Sequence, residues 1–142
     1  MENLENNTLS KAEPLELAKA IAYILIEKKA LDVRLYDVSA DSSVTDYYLN
    51  ATGRSSTNVR ALADEVTYKI GLAGRQEERV EGRGGNSWIL VDYGDVIVNV
   101  FDREAREFYN FDRLLPEAGL VDISDVVSAV DKKYEINNKE ED

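Results

Sequence analysis

The order of apolar patterns along this chain predicts an α/β fold class: a single domain with a mixed β-sheet flanked by helices. Apolar residues recur with a helical period in some stretches and with a strand period in others. Residues 87–101 alternate around a Tyr93-Gly94-Asp95 turn, as the two strands of a hairpin do. The 142 residues are enough for one ordinary core. The same order also allows an α+β sheet whose helices are concentrated on one face.

The first predicted elements are a helix and two strands. Pro14 suits the first turn of a helix that runs to about Lys29, because the apolar residues of this stretch share one face. Side chains alternate over residues 33–38, which predicts a strand. A second strand is predicted at about residues 44–51, where β-branched and aromatic residues gather.

A second helix and an edge strand follow. The helix begins after Gly53, has Ser55 or Ser56 as its N-cap, and ends at the glycines from Gly71 onward. Residues 77–81 are predicted to form a short edge strand, whose charges discourage pairing with other chains.

The predicted hairpin has two unequal faces, because successive side chains of a strand point to opposite sides. One face is almost continuously apolar and belongs to the core; it carries Ile89, Val91, Tyr93, Val96, Val98 and Val100. The other face mixes large aromatic residues with a carboxylate and an amide; it carries Trp88, Leu90, Asp92, Ile97, Asn99 and Phe101. This second face is predicted to be partly uncovered and to meet a partner.

The last elements are short. Asp102 is placed to cap a helix that runs through Tyr109, and Pro116 marks a break. Residues 121–130 are amphipathic and predict a small final helix, with Ser124 as its candidate cap.

Polar residues dominate both ends of the chain, so three parts are predicted. Residues 1–13 form a flexible N-terminus, residues 14–130 form the domain, and residues 131–142 form an acidic flexible tail.

The net charge limits the kind of partner. The chain has 28 acidic and 17 basic residues, for a net charge of −11. Nucleic-acid binding depends on lysine and arginine at phosphates, so RNA or DNA is not expected to be the main direct contact. A basic protein surface is the better partner, although solubility alone would also account for the charge.

The location follows from two further patterns. No apolar run approaches the ~20 residues that span a bilayer, so no membrane contact is expected. The first ten residues lack a basic segment followed by an apolar one, which favours a cytoplasmic protein.

Catalytic chemistry has few candidates here. The chain has no histidine and no cysteine, which excludes histidine bases, imidazole metal sites and thiolate nucleophiles. Asp92 and Asp95 flank a Tyr-Gly pair, and such aspartates are more often turn residues than metal ligands. Only carboxylate, lysine, tyrosine or serine chemistry is left, and we predict no cofactor and no metal.

Several motifs resemble those of the Iojap family, the bacterial ribosomal silencing factors. The resemblance covers about residues 14–115, and its most specific part is the hairpin run followed by the R-x-x-Y spacing. The motifs are Gly53-Arg54-Ser55, Gly82, SWILVDYGDVIVNVF at 87–101 and Arg106-Glu107-Phe108-Tyr109.

This resemblance implies a nucleotidyltransferase-like fold that is catalytically inactive. It also implies a protein that binds the large ribosomal subunit through its ribosomal protein number fourteen, obstructs joining of the small subunit and represses translation, chiefly under nutrient limitation. A homodimer is implied for the free protein.

Two positions depart from the family pattern. Asn99 stands where members usually carry histidine, so a titratable role at that position is absent. Leu115 stands where an aromatic residue usually ends the short helix, which removes whatever packing or dimer contact that residue provides.

The predicted partner-binding residues lie on the hairpin and the short helix after it: Trp88, Asp92, Tyr93, Asp95, Asn99, Phe101, Arg106 and Tyr109. Trp88 and Phe101 are candidate anchors, the two aspartates are expected to meet lysine or arginine, and Arg106 and Tyr109 to support them. The alternative places both anchors in the core and pairs Arg106 with neighbours on its helix.

A nucleotide-binding enzyme is the rival hypothesis. Phosphates are favoured at a helix N-terminus such as that after Gly53. However, nucleotidyltransferases place two carboxylates one residue apart on the strand after that helix, and no D-x-D or D-x-E pattern is present there.

Overall fold

A six-stranded mixed β-sheet organises the chain in the computed structural model, which describes residues 8–141, with side chains to residue 135. The strands are β1 (Leu31–Asp37), β2 (Tyr47–Gly53), β3 (Arg79–Glu81), β4 (Trp88–Asp92), β5 (Val96–Asp102) and β6 (Leu120–Val121). The helices are α1 (Pro14–Glu27), α2 (Ser56–Leu72), α3 (Arg103–Tyr109) and α4 (Ser124–Glu141), with 3₁₀ turns at Phe111–Leu114 and Glu117–Gly119.

The strand order is β3-β4-β5-β2-β1-β6, with β2 and β5 parallel at the centre and all other pairs antiparallel. This arrangement confirms the predicted α/β class with a mixed sheet and flanking helices. The position of β3 at one edge is also as predicted. The parallel central pair brings the ends of β2 and β5, and so the starts of α2 and α3, to the same edge of the sheet.

One face of the sheet, here called the core face, packs against α1 and α2, and α4 packs against α1. The side chains of the core face are mostly aliphatic and buried, and each aliphatic one contributes about 1.5–3 kcal/mol by leaving water. They include the six hairpin residues predicted for this face: Ile89, Val91, Tyr93, Val96, Val98 and Val100.

The hairpin register is confirmed. Ile89 lies opposite Val100, and Val91 lies opposite Val98. The amide of Tyr93 donates to the carbonyl oxygen of Val96 at 2.9 Å, which leaves a two-residue turn between them. The other face, here called the outer face, therefore carries Trp88, Leu90, Asp92, Ile97, Asn99 and Phe101, as predicted.

Strand β2 begins three residues later than predicted. Val44 is 66% exposed and belongs to the loop before the strand. The amide of Val38 donates to the carbonyl oxygen of Asp46 at 2.8 Å, and this bond closes the loop. The β-branched residues at 44 and 45 therefore indicated strand where the chain is still turning.

Helix α4 is longer than the predicted helix at 121–130. It starts at Ser124, whose amide donates to the Asp122 carboxylate at 2.9 Å, so Asp122 rather than Ser124 supplies the capping oxygen. It continues through residue 141 instead of ending at Val130. The strand β6 before it was not predicted.

Beyond Val130, α4 is held against the end of α1. The Tyr134 hydroxyl donates to the carbonyl oxygen of Glu27 at 3.0 Å. The buried Glu27 carboxylate accepts from Lys133 and, at 3.3 Å, from Lys69. Burial acts to raise the pKa of Glu27, but the two lysines outweigh it and the pKa is lowered.

Contacts also extend before Pro14. The side chain of Leu9 is buried, and its amide donates to the carbonyl oxygen of Ala73 at 2.9 Å. Packing therefore reaches past both predicted domain limits, while the flexibility of the two ends stays a prediction. Residues 1–7 and Asp142 lie outside the described residues.

Within residues 8–141, no helix is both long and apolar enough to cross a membrane.

Candidate partner-binding surface

Six aromatic side chains meet on and beside the outer face, around Trp88. The ring centroid of Trp88 lies 4.9 Å from Phe101, 4.9 Å from Tyr109 and 6.0 Å from Phe111. Two further rings extend the group, since Phe108 contacts Tyr109 at 5.1 Å and Tyr48 contacts Phe111 at 5.2 Å. This group is the aromatic cluster: Tyr48, Trp88, Phe101, Phe108, Tyr109 and Phe111.

Helix α3 and the turn after it carry half of this cluster, namely Phe108, Tyr109 and Phe111. Asp102 caps the helix by accepting from the amide of Ala105 at 2.7 Å. Asn110 has a left-handed backbone conformation, with φ of 45°, which ends the helix and turns the chain back. The turn places Phe111 beside Trp88, so the outer face is partly covered rather than open.

The start of β4 is shaped by Gly82. Its φ is +93°, and a Cβ atom there would collide with the backbone carbonyl of Trp88. Only glycine lets the chain approach this closely, so Gly82 helps to set the position of Trp88.

Buried amides fix the orientation of Trp88. The indole Nε1 of Trp88 donates to Oδ1 of Asn99 at 2.9 Å, and Nδ2 of Asn99 donates to Oδ1 of Asn50 at 3.0 Å. Asn50 and Asn99 have no exposed surface. Because buried polar groups need partners, these two bonds hold the indole in one orientation.

A second polar group lies under α3. The guanidinium of Arg106 donates to both oxygens of Asp112, at 2.8 and 3.0 Å, and to the hydroxyl of Thr52 at 3.0 Å. The hydroxyl of Tyr36 donates to Asp112 at 2.9 Å. These contacts attach α3 and the following turn to β1 and β2. The predicted alternative, in which Arg106 pairs with neighbours on its own helix, is wrong.

The charge state of this group follows from its surroundings. Burial acts to raise the pKa of Asp112, but hydrogen bonds and charge from Arg106 outweigh it, so the pKa is lowered. Burial raises the pKa of Tyr36, and the bond to Asp112 adds to that effect. Asp112 is therefore ionised and Tyr36 neutral at neutral pH.

Asp92 and Asp95 are already satisfied within the chain. Asp92 accepts from the amide of Gly94 at 2.7 Å and from Nε of Arg79 at 3.0 Å. Asp95 accepts from Nη2 of Arg75 at 2.8 Å. Both carboxylates remain partly exposed, but a basic partner would compete with these arginines.

The predicted partner-binding residues do not all reach the surface. Asn99, Phe101 and Tyr93 are buried, and Tyr93 lies on the core face. As the chain stands, these three cannot touch a partner directly, because other side chains cover them. Trp88 is half-buried, whereas 49% of Tyr109 is exposed.

Other residues of this region were not predicted. Phe108 is the most exposed member of the aromatic cluster, at 81%. Asn50 on β2 accepts from Asn99 under Trp88, and Asp112 accepts from Arg106 under α3. The sequence did contain a signal for the exposure of Phe108. This residue lies one helical turn after the charged Glu104, so both side chains are on the same, solvent-facing side of a short helix.

The start of α2, suggested as a phosphate site, is occupied by its own side chains. Ser55 accepts from the amide of Asn58 at 3.1 Å, and Asn58 accepts from the amide of Arg54 at 2.9 Å. The strand after α2 is β3, in which Arg79 and Glu81 flank Val80. This geometry does not favour the rival nucleotide-binding hypothesis.

Comparison with known proteins gives a consistent result. The family model described as "Ribosomal silencing factor during starvation" matches residues 11–142. The ribosomal silencing factor RsfS of Bacillus subtilis is 36% identical over 107 residues, covering 75% of this chain and 91% of that protein. The chloroplastic protein Iojap of Zea mays is 29% identical over 112 residues, which cover 79% of this chain and 49% of that protein.

A solved structure has a similar fold. The crystal structure of a protein from Chromobacterium violaceum matches with a TM-score of 0.71 and 34% identity. The match covers 73% of this chain and 87% of that one.

Proposed function

The chain belongs to the ribosomal silencing factor family, and on that basis we propose that it silences ribosomes by occupying the large subunit. It binds the large ribosomal subunit through ribosomal protein number fourteen and sterically blocks association with the small subunit. Translation is repressed in this way, chiefly under nutrient limitation. The observation that carries the proposal is the exposed part of the aromatic cluster.

The aromatic cluster suits protein binding because Trp88 and Tyr109 expose large rings that the polar groups beneath hold in place. Interface energy is concentrated in tryptophan, tyrosine and arginine at such positions. Rings that are already ordered lose little conformational freedom on binding. Phe101, Asn99 and Arg106 contribute by supporting the exposed rings, and the buried Tyr93 by supporting the hairpin turn.

The charge of the chain indicates a basic partner. The net charge of −11 opposes RNA as the main contact. It favours approach to a basic protein surface, because complementary potential raises the association rate and fixes the register. In this proposal Asp92 and Asp95 add to that potential while they remain paired with their own arginines.

Silencing of this kind requires occupancy and no chemical step. The protein acts without enzyme activity, cofactor or metal, and repression scales with the fraction of large subunits covered. It works in the cytoplasm, where the subunits join, and is a homodimer when free.

Two exposed tyrosines allow a matched test. Tyr109 belongs to the aromatic cluster, whereas Tyr68, 64% exposed, lies on α2 away from it. In co-sedimentation with purified large subunits, Tyr109→Ala should weaken binding by about tenfold or more. Tyr68→Ala should leave binding unchanged, and joining of the two subunits should recover only with the Tyr109 variant.

Two results would contradict the proposal. The first is wild-type protein that leaves subunit joining unaffected at saturating concentration. The second is binding that free ribosomal RNA competes away, because RNA would then be the main contact.

A further inference from the structure

Helix α3 presents an acidic and aromatic groove beside the aromatic cluster. Its volume is about 300 Å³. It opens to solvent beside Ser87, at the start of β4, where the chain enters the hairpin. The groove, here called the α3 groove, is lined by Ser87, Asp102, Glu104, Ala105, Phe108 and Tyr109.

Phe108 is unusual for an aromatic residue, since 81% of it is exposed. Its ring centroid lies 5.1 Å from that of Tyr109 with the planes at 89°, so the two rings form a corner. Glu104 lies one helical turn before Phe108, which places the carboxylate and the ring on the same side of α3. An apolar face and a negative charge therefore border the same space.

The carboxylates on this helix differ from those of the β4–β5 turn. Glu104 and Glu107 are exposed, and among the side chains described, those of residues 8–135, none forms a hydrogen bond or ion pair with either carboxylate. Asp92 and Asp95 already accept from arginines of this chain. A basic side chain can approach Glu104 without displacing an existing partner.

We propose that the α3 groove receives an arginine side chain of a basic protein partner. The guanidinium stacks on the exposed ring of Phe108 and donates to the carboxylate of Glu104. Arginine suits both contacts, because its planar group stacks on aromatic faces and pairs with carboxylates in a fork. The inference rests on the proposed function and names the chemistry that the partner presents at this site.

This proposal moves the acidic contact away from the residues predicted from the sequence. The aspartates of the turn stabilise the hairpin, whereas Glu104 is free to act between molecules. The aromatic cluster and the α3 groove are continuous through Tyr109, so one partner can occupy both.

The first experiment uses the intact chain and needs no ribosome. N-acetyl-arginine amide is titrated against the isotope-labelled protein and followed by NMR, with N-acetyl-citrulline amide as the uncharged control of the same shape. We expect saturable shifts confined to Ser87 and residues 102–109, which contain the lining of the groove, absent with citrulline and lost in Glu104→Gln. Shifts spread over all acidic surfaces, or unchanged in Glu104→Gln, would overturn the proposal.

The second experiment measures binding to purified large subunits. Glu104→Lys should weaken binding by about tenfold or more, because repulsion replaces attraction, and Phe108→Leu should weaken it several-fold. Asp131→Lys changes the net charge equally on an exposed position of α4 and serves as the control. Equal effects of the two lysine variants would mean that only overall charge matters, and the groove assignment would be wrong.

The two experiments separate the groove from the proposed function. If wild-type protein fails to bind large subunits, the proposed function is wrong. The arginine titration alone then tests whether the α3 groove binds arginine. If wild type binds and Glu104→Lys binds equally well, the assignment of the α3 groove is wrong, whereas the proposed function is not contradicted. If Glu104→Gln changes only the dimerisation of the chain, a second copy occupies the groove and the inference is overturned.

Discussion

The two faces of the sheet are stabilised in different ways. Helices α1 and α2 cover the core face, α4 packs against α1, and the mostly aliphatic side chains between them are buried. In the part of the chain that the structure describes, α3 and the turn after it cover the outer face, and Arg106 and Asp112 attach them to β2 and β1. The buried amides of Asn99 and Asn50 hold Trp88 beneath them.

This difference shows how one domain can be stably folded and still present a surface that binds a partner. Apolar packing depends on buried area and has no preferred direction. Hydrogen bonds depend on geometry, so a few of them can orient rings that are only half-buried. The core face therefore supplies most of the stability, and the outer face keeps ordered aromatic surface available to a partner.

The sharpest test of this comparison uses two neighbours on one strand. Ile89 lies on the core face and is fully buried, whereas Leu90 lies on the outer face and is half-buried. Ile89→Ala should lower the free energy of unfolding by about 2–5 kcal/mol, and Leu90→Ala by less than about 1.5 kcal/mol. Urea unfolding measures both, and equal losses would contradict the difference between the faces.

The next effect concerns the attachment of α3. Arg106→Met leaves the Asp112 carboxylate without its partner and should cost about 3 kcal/mol in urea unfolding. Arg103→Met, at an exposed position one turn earlier, should cost less than about 0.5 kcal/mol. Comparable losses in the two variants would show that the bidentate pair is not what holds the helix.

The pH dependence of this attachment has a definite sign. The lowered pKa of Asp112 means that its contribution is present at neutral pH and is lost as the pH falls below its usual value of 3.8. The difference in stability between wild type and Asp112→Asn should therefore stay constant from about pH 7 to pH 5 and shrink in stronger acid. A difference that grows on acidification would contradict the ionised state.

A smaller effect is expected from the buried amides. Asn99→Ala removes the acceptor of Trp88 and the donor to Asn50, and should cost about 1–3 kcal/mol. Trp88 is the only tryptophan, so its fluorescence reports on this site alone. We expect a red-shifted and broader emission from a less ordered indole. Unchanged emission would mean that ring packing alone orients Trp88.

The smallest effect lies at the rim of the core face, where Lys19 and Asp125 join α1 and α4 at 2.9 Å. Asp125→Asn should change the free energy of unfolding by less than about 0.5 kcal/mol, since exposed ion pairs contribute little. Glu27→Gln, which loosens the buried contact to Lys133, should cost about 1–2 kcal/mol. Hydrogen exchange in α4 would rank the two variants.

Much of the fold could be predicted because the signals are local. Alternation and a two-residue turn are enough to pair β4 with β5, and serine or aspartate before an amphipathic run locates α2 and α3. The strand β6 could not be predicted, because its two residues are too few to show the alternation of side chains that identifies a strand. Helix α4 continues past Val130 because Lys133 and Tyr134 contact Glu27, a residue more than a hundred positions away.

The candidate site was predicted only in part for the same reason. Alternation placed Trp88, Asn99 and Phe101 on one face, and the structure agrees. It could not show that α3 would fold over that face and bury two of them. Nor could it pair Arg106 with Asp112 or Asp95 with Arg75, because those pairs depend on how separate elements meet.

The sequence by itself determined the family, the order of the main elements and the side of the sheet on which each hairpin residue lies. The tertiary structure decided which residues stay exposed, which carboxylates are already paired and where an unpaired charge meets an open ring. The physical reason is that side-chain direction follows from the local backbone, whereas burial and ion pairing depend on distant elements that come to lie against it.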